Sequence, residues 1–117
     1  MNIKRIHSNN RMSQAVIHGD TVYLAGQVAQ SAPGGTVAEQ TTAVLERIDV
    51  LLSEAGSSKE RILSATIWLT SMDDFSEMNL VWDAWISNGS APCRACVESA
   101  RLATTDFNVE IGIIAAQ

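Results

Sequence analysis

Arg94, Cys96 and Glu98 fall two residues apart within Cys93-Arg94-Ala95-Cys96-Val97-Glu98-Ser99-Ala100-Arg101-Leu102, a run that reads as a strand. Side chains alternate along a strand, so this spacing puts a guanidinium, a thiol and a carboxylate on one face, with Cys93, Ala95, Val97 and Ser99 opposite. The run Asn108-Val109-Glu110-Ile111-Gly112-Ile113-Ile114 repeats the pattern, with Val109, Ile111 and Ile113 on one side and Asn108, Glu110 and Gly112 on the other. A strand suited to burial therefore carries a fixed cation, and Glu110 arrives from the polar side of the next strand. Together they outline a binding or catalytic face for a small anionic molecule.

Other chemistries fit the residues less well. Cys93 and Cys96 form a C-x-x-C, but residues three apart on a strand point to opposite faces and can neither bridge nor chelate together. Zinc would need two further ligands, and His7 and His18 lie far off without ligand spacing, so no metal is expected. Cys96 reads as a small buried hydrophobe. Eight Lys and Arg against thirteen Asp and Glu leave a net charge of -5, and the basic residues are scattered. A nucleic-acid partner is therefore not expected, because no basic stripe would neutralise phosphates. The Gly-rich Ser31-Ala32-Pro33-Gly34-Gly35 lacks the spacing and Lys of a P-loop and reads as a connector.

The elements that must position these residues are legible in order. Hydrophobic residues make up 46% of the 117, enough for one folded domain over 1–117. Met1 to Arg5 leads into polar residues with no apolar h-region, and no segment approaches a membrane span, so the cytoplasm is the default location. Ile3 to His7 is a short strand. Ala15-Val16-Ile17 and Thr21-Val22-Tyr23-Leu24-Ala25 form a hairpin around Gly19-Asp20, and Gly26 ends the second strand. Thr36 with Glu39 is a capping box opening a helix whose apolar stripe is Val37, Val44, Ile48, Leu51 and Ala55, widened by Leu45 and Leu52. Gly56 stops it.

Leu63, Ala65, Ile67 and Leu69 then alternate with Ser64, Thr66 and Trp68 as a strand. Ser71 to Asp74 caps a second helix carrying Phe75, Met78, Trp82, Trp85 and Ile86 and ending at Asn88-Gly89. The fold class is α+β, a mixed sheet with two helices on one face. The other face, with Trp68, Thr66, Cys96 and Arg94 as its candidates, is too mixed for a monomer's core and too apolar for open water. That imbalance predicts a subunit interface.

The run Ala91-Pro92-Cys93-Arg94-Ala95-Cys96-Val97-Glu98-Ser99-Ala100-Arg101-Leu102 resembles the Arg-x-Cys-Val-Glu-x-Ala-Arg-Leu signature of the RidA (YjgF) family of enamine/imine deaminases. Leu24-Ala25-Gly26-Gln27, Asp74-Phe75 with Met78-Asn79, and Val109-Glu110-Ile111 extend the match over nearly the whole chain. Asn79-Leu80-Val81-Trp82-Asp83-Ala84-Trp85 looks closer to the family's YoaB-like branch. The resemblance implies a chorismate-mutase-like six-stranded sheet in a homotrimer, with sites in clefts between subunits. It places the last strand antiparallel between the strands flanking the first helix, where the sequence alone would pair the last two strands as a hairpin with Arg94 beside Glu110.

The activity it implies is hydrolysis of 2-imino acids to 2-oxo acids and ammonia, without a cofactor. Arg94 would hold the substrate carboxylate through two parallel hydrogen bonds, and Glu110 would orient or deprotonate the water. Main-chain groups around Ala95 and Cys96 would touch the substrate, and Asn79 matches a cleft residue. Two departures stand out. Met12 replaces a tyrosine of the better-known deaminases, and Ala25 replaces a serine before Gly26. Both remove hydroxyls from the expected cleft, which leaves a non-catalytic small-carboxylate binding protein as the alternative.

Overall fold

The computed structural model describes all residues from Met1 to Gln117. The elements in order are β1 (Ile3–Ser8), β2 (Ser13–His18), β3 (Thr21–Val28), α1 (Val37–Glu54), β4 (Ile62–Leu69), α2 (Phe75–Trp85), β5 (Cys93–Glu98) and β6 (Val109–Ala116). They form one six-stranded sheet in the order β1-β2-β3-β6-β4-β5. Only β4 and β5 pair in parallel. The last two strands are not a hairpin: β6 runs antiparallel between β3 and β4, as the family resemblance implied.

α1 forms where its capping box and stripe require it. The Glu39 N–H donates to the Thr36 hydroxyl at 3.1 Å, and the Thr36 N–H donates to the Glu39 carboxylate at 2.9 Å. Two otherwise orphaned donors of the first turn are satisfied. Every residue of the expected stripe is buried, and Gly56 follows the helix with a φ of 78°. α1 packs across β3 and β6, and α2 lies against α1 on the same face. Between helices and sheet, the buried residues make one apolar cluster that includes Val109, Ile111, Ile113 and Ala115 of β6.

Three details of the strands depart from the alternation read in the sequence. β3 does not stop at Gly26 but continues to Val28 through an irregularity between Leu24 and Gln27. In β4 a register shift between Ile62 and Ser64 buries Ile62 and turns Leu63 out to solvent. β5 ends at Glu98, so Ser99 to Leu102 belongs to the following loop. Bulges of this kind add a residue to one strand and so reset which face its neighbours occupy.

Gln40 ties that loop to the helix layer. It is fully buried, donates to the carbonyls of Gly35 and Asp106 and to Asn108 Oδ1, and accepts from the Asn108 N–H at 2.8 Å. Asn108 in turn donates to the Thr70 hydroxyl. The start of β6, and with it Glu110 two residues on, is thereby fixed against the N-terminal turn of α1.

The whole measures 42 × 38 × 21 Å. The short dimension fits one sheet and one helix layer, each about 10 Å deep. The second sheet face is left bare. It presents Thr66 and Trp68 of β4, Glu110, Gly112 and Ile114 of β6, Tyr23 of β3 and Val97 of β5, with Tyr23, Val97 and Ile114 each more than a third exposed.

Gln40→Leu strands several buried polar groups at once, each costing about 1–3 kcal/mol. It is expected to lower the unfolding free energy by about 3 kcal/mol in urea titration, well beyond the loss of about 1 kcal/mol expected for the exposed cap variant Thr36→Ala.

Candidate functional site

Arg94 lies on β5 opposite Ala65 of β4 in a parallel pair, and Cys96 lies opposite Ile67. Ala65 and Ile67 are core residues under the helices, so Arg94 and Cys96 share that side. This corrects the expectation that they accompany Thr66 and Trp68 on the bare face; there the neighbours from β5 are Ala95 and Val97. Because β5 is an edge strand, its helix-side residues are only half covered, and α2 supplies the cover.

The cover is specific. Arg94 Nη1 donates to Asn79 Oδ1 at 2.8 Å, and the guanidinium carbon stands 5.4 Å from the Trp82 ring centroid and 5.8 Å from that of Phe75. Phe75, Asn79 and Trp82 recur at helical spacing, so one face of α2 holds the cation through ring quadrupoles and one amide. The only ion pair in the chain is that of His7 with Glu54, so Arg94 meets no carboxylate. Its other N–H groups remain to be used by a planar anion.

Cys96 sits beside it, where burial pushes the thiol up and the Arg94 charge offsets this only in part. It therefore does not present a thiolate. Cys93 is exposed on the other face, with Sγ near the Leu63 carbonyl, so the two thiols diverge.

Glu110 lies on the bare face. It pairs with Val28 and Trp68 across its two neighbours, and its carboxyl leans over Gly26. A Cβ at position 26 would come within 2.9 Å of the Glu110 carboxyl carbon and closer still to Oε2. Gly26 is thus the floor on which the carboxylate rests. On the same face Trp68 lies over Gly112, where a Cβ would be 3.4 Å from the indole. Half-burial without compensating donors raises the Glu110 pKa above the usual carboxyl range. Ala25 is next to this floor, and Met12 comes directly before β2, whose Ala15 pairs with Leu24 of β3. Met12 is 40% exposed.

Two groups of residues result. Arg94, Asn79 and Cys96 gather under α2 at the β5 edge, and Glu110, Gly26 and Ala25 gather on the bare face around β3 and β6. Within one protomer they do not meet. Trp68 pairs with both Glu110 and Val97, and Arg94 is three residues from Val97. The two residues are therefore about 10 Å apart sideways and about 10 Å apart along the strands, on opposite faces. The expectation that Glu110 shares the polar side of Arg94 is corrected here.

The family model described as endoribonuclease L-PSP matches residues 2–117. A RutC family protein of Haemophilus influenzae is 44% identical over 115 residues, covering 98% of each chain. The RutC family protein YoaB of Escherichia coli is 43% identical over 116 residues, covering 99% of each. A crystal structure of a YjgF family member from Neisseria meningitidis superposes with a TM-score of 0.95 at 44% identity, covering 100% of this chain and 96% of that one. The chain belongs to this YjgF/RidA family. Its similarity to YoaB agrees with the branch read from the α2 sequence.

Phe75 and Trp82 are contacts of Arg94 that sequence reasoning placed only on the second helix. The spacing Phe75, Asn79, Trp82 was available, but nothing in it said that β5 would pass beneath. The Gly26–Glu110 contact was equally invisible, since the two residues are 84 positions apart in the chain.

The raised pKa has a consequence for stability. The folded carboxyl holds its proton to higher pH than the unfolded one, so the fold binds more protons in the interval between the two pKa values. Stability is fully present below the unfolded pKa and falls as pH rises through the folded one. Glu110→Gln, which carries no charge to desolvate, is expected to melt above the parent at neutral pH, with the gap closing as the pH drops below the carboxyl range. Parallel melting curves across that interval check it.

Proposed function

We propose that the protein hydrolyses reactive 2-imino acids to 2-oxo acids and ammonia, at sites that join the Arg94 group of one protomer to the Glu110 group of the next in a homotrimer. The observation that carries this reading is the Arg94 guanidinium, oriented by Asn79, Trp82 and Phe75 with no acid partner of its own. A preoriented fork of N–H donors loses little freedom on binding and matches a carboxylate. Membership of the RidA family, the bare apolar face and the separation of the two groups support the shared site.

The chemistry asks little beyond positioning. The carboxylate of the substrate sits on Arg94, and water attacks the imine carbon while Glu110 takes its proton. A C–O bond forms and the C=N π pair moves to nitrogen. Glu110 then returns the proton to nitrogen, and a second proton passes from the carbinolamine hydroxyl through Glu110 to nitrogen, so that ammonia leaves as the C=O bond forms. Burial raises the Glu110 pKa, which makes its carboxylate a stronger base toward the water proton. Much of the acceleration comes from holding water and imine together out of bulk solvent.

Met12 and Ala25 favour a second reading, a small-carboxylate binding protein without turnover, because they stand where the better-known deaminases of the resemblance carry hydroxyls. The name endoribonuclease carried by the family model finds no support in the charge of this chain, which is -5 with scattered basic residues.

An amino-acid oxidase generating 2-iminopropanoate in situ supplies the assay. Wild type is expected to speed its loss, and Arg94→Ala to lower kcat/KM by about 100-fold or more, the size of two charged hydrogen bonds. A wild-type rate equal to that of Arg94→Ala, with pyruvate still raising the melting temperature through Arg94, would establish the binding protein instead.

Mixing tests the shared site. Arg94→Ala and Glu110→Gln subunits, each inactive, are expected to recover about a quarter of the wild-type rate when unfolded and refolded together at equal amounts, since a random neighbour pair has that chance of being intact. No recovery would place both residues' work within one chain.

A further inference from the structure

A second recess lies behind the strand that carries Ala25 and Gly26, on the helix side. It encloses about 220 Å³ and is lined by Gln27, Val28, Gln30, Ser31, Ala43 and Arg47. Water occupies about 30 Å³ per molecule, so the space holds about seven waters or one acid of three to five carbons.

Its polar groups are of two kinds. Arg47 meets no carboxylate of the chain, because the only ion pair is that of His7 with Glu54. Glu46, its sequence neighbour, lines grooves on another side of α1. The mouth of the recess thus has a guanidinium whose nearest acid in sequence is directed elsewhere.

Gln27 supplies the opposite polarity. It is 5% exposed, and its Nε2 donates at 2.9 Å both to Gln14 Oε1 and to the Ala25 carbonyl. A carbonyl only accepts, so these bonds fix the amide with Oε1 turned the other way. That oxygen has no partner in the chain, and no side-chain oxygen of the molecule is both unpartnered and sealed from solvent. Gln27 itself lines the recess. Water satisfies such an open acceptor in the free protein, and a ligand that brings a donor takes the water's place there.

We infer that this recess binds a small carboxylate carrying a hydrogen-bond donor on its α carbon, an α-hydroxy or α-amino acid, with the carboxylate on Arg47 and the donor on Gln27 Oε1. Ser31 and Gln30 line the same recess. A 2-oxo acid has an acceptor in the α position and meets Gln27 Oε1 with like polarity, so the recess discriminates against the very class proposed for Arg94. The inference is independent of that proposal.

L-lactate, L-alanine and pyruvate share one skeleton and differ at the α substituent, which makes them the probes. In amide NMR titrations of the full chain, lactate or alanine is expected to give saturable shifts at Gln27 to Ser31 and at Ala43 to Arg47. Pyruvate is expected to act on these amides at least about tenfold more weakly, the worth of one hydrogen bond replaced by two facing acceptors. The exposed substitution Arg47→Gln is expected to weaken lactate and alanine about tenfold or more without altering the melting temperature, and Arg94→Ala to leave them unchanged. The inference is overturned by the absence of saturable shifts at these amides with both donor acids, by pyruvate binding there equally well, or by affinities untouched in Arg47→Gln. Loss of deaminase activity alone would not bear on it.

Discussion

The insertion of β6 between β3 and β4 fixes the relations among all the other parts. Both its edges are paired, so its backbone is fully engaged, and Val109, Ile111, Ile113 and Ala115 are buried beneath α1. The alternate positions Glu110, Gly112 and Ile114 have no choice but the bare face. The same insertion forces β5 out to the far edge, where it can only pair in parallel with β4. A parallel neighbour keeps its side chains in step with those of β4, which carries Arg94 under α2. One strand placement thus sends the cation and the carboxylate to opposite sides of the sheet.

From this separation follows the difference in their surroundings. Arg94 is oriented by aromatic faces and an amide that leave its charge unneutralised. Glu110 is half-buried on a glycine floor with nothing to stabilise its charge, and its carboxyl holds on to its proton accordingly. Both are unfavourable as purely structural arrangements, since a charge near an interior is usually paired. Each becomes reasonable once a ligand or a second copy of the chain completes it.

The sequence reported best what depends on local rules. The Thr36–Glu39 box, the α1 stripe and the alternation of β6 each follow from neighbours a few residues apart, and each is present as read. Alternation also tells which residues of β5 share a side. It does not tell which side, because both sides of an edge strand are partly exposed and neither is purely apolar. That decision was made by the register with Ala65 and Ile67, a long-range fact. The irregularities at Leu24/Gln27 and Ile62/Ser64 escaped for a similar reason, as an inserted residue shifts the parity without changing composition. The family signature named Arg94 and Glu110, whereas the cradle of Phe75 and Trp82 and the recess between Gln27 and Arg47 had to await the packing of the elements.

Gly26 and Glu110 occupy what amounts to a single parcel of space. A methyl group at the first position displaces the acid at the second, whose flexible end must swing to another rotamer or give way to a shorter residue. A substitution at either place is consequently felt at the other. A side chain at position 26 therefore lifts the carboxyl off its glycine floor, and the acid loses the place in which it is half-buried.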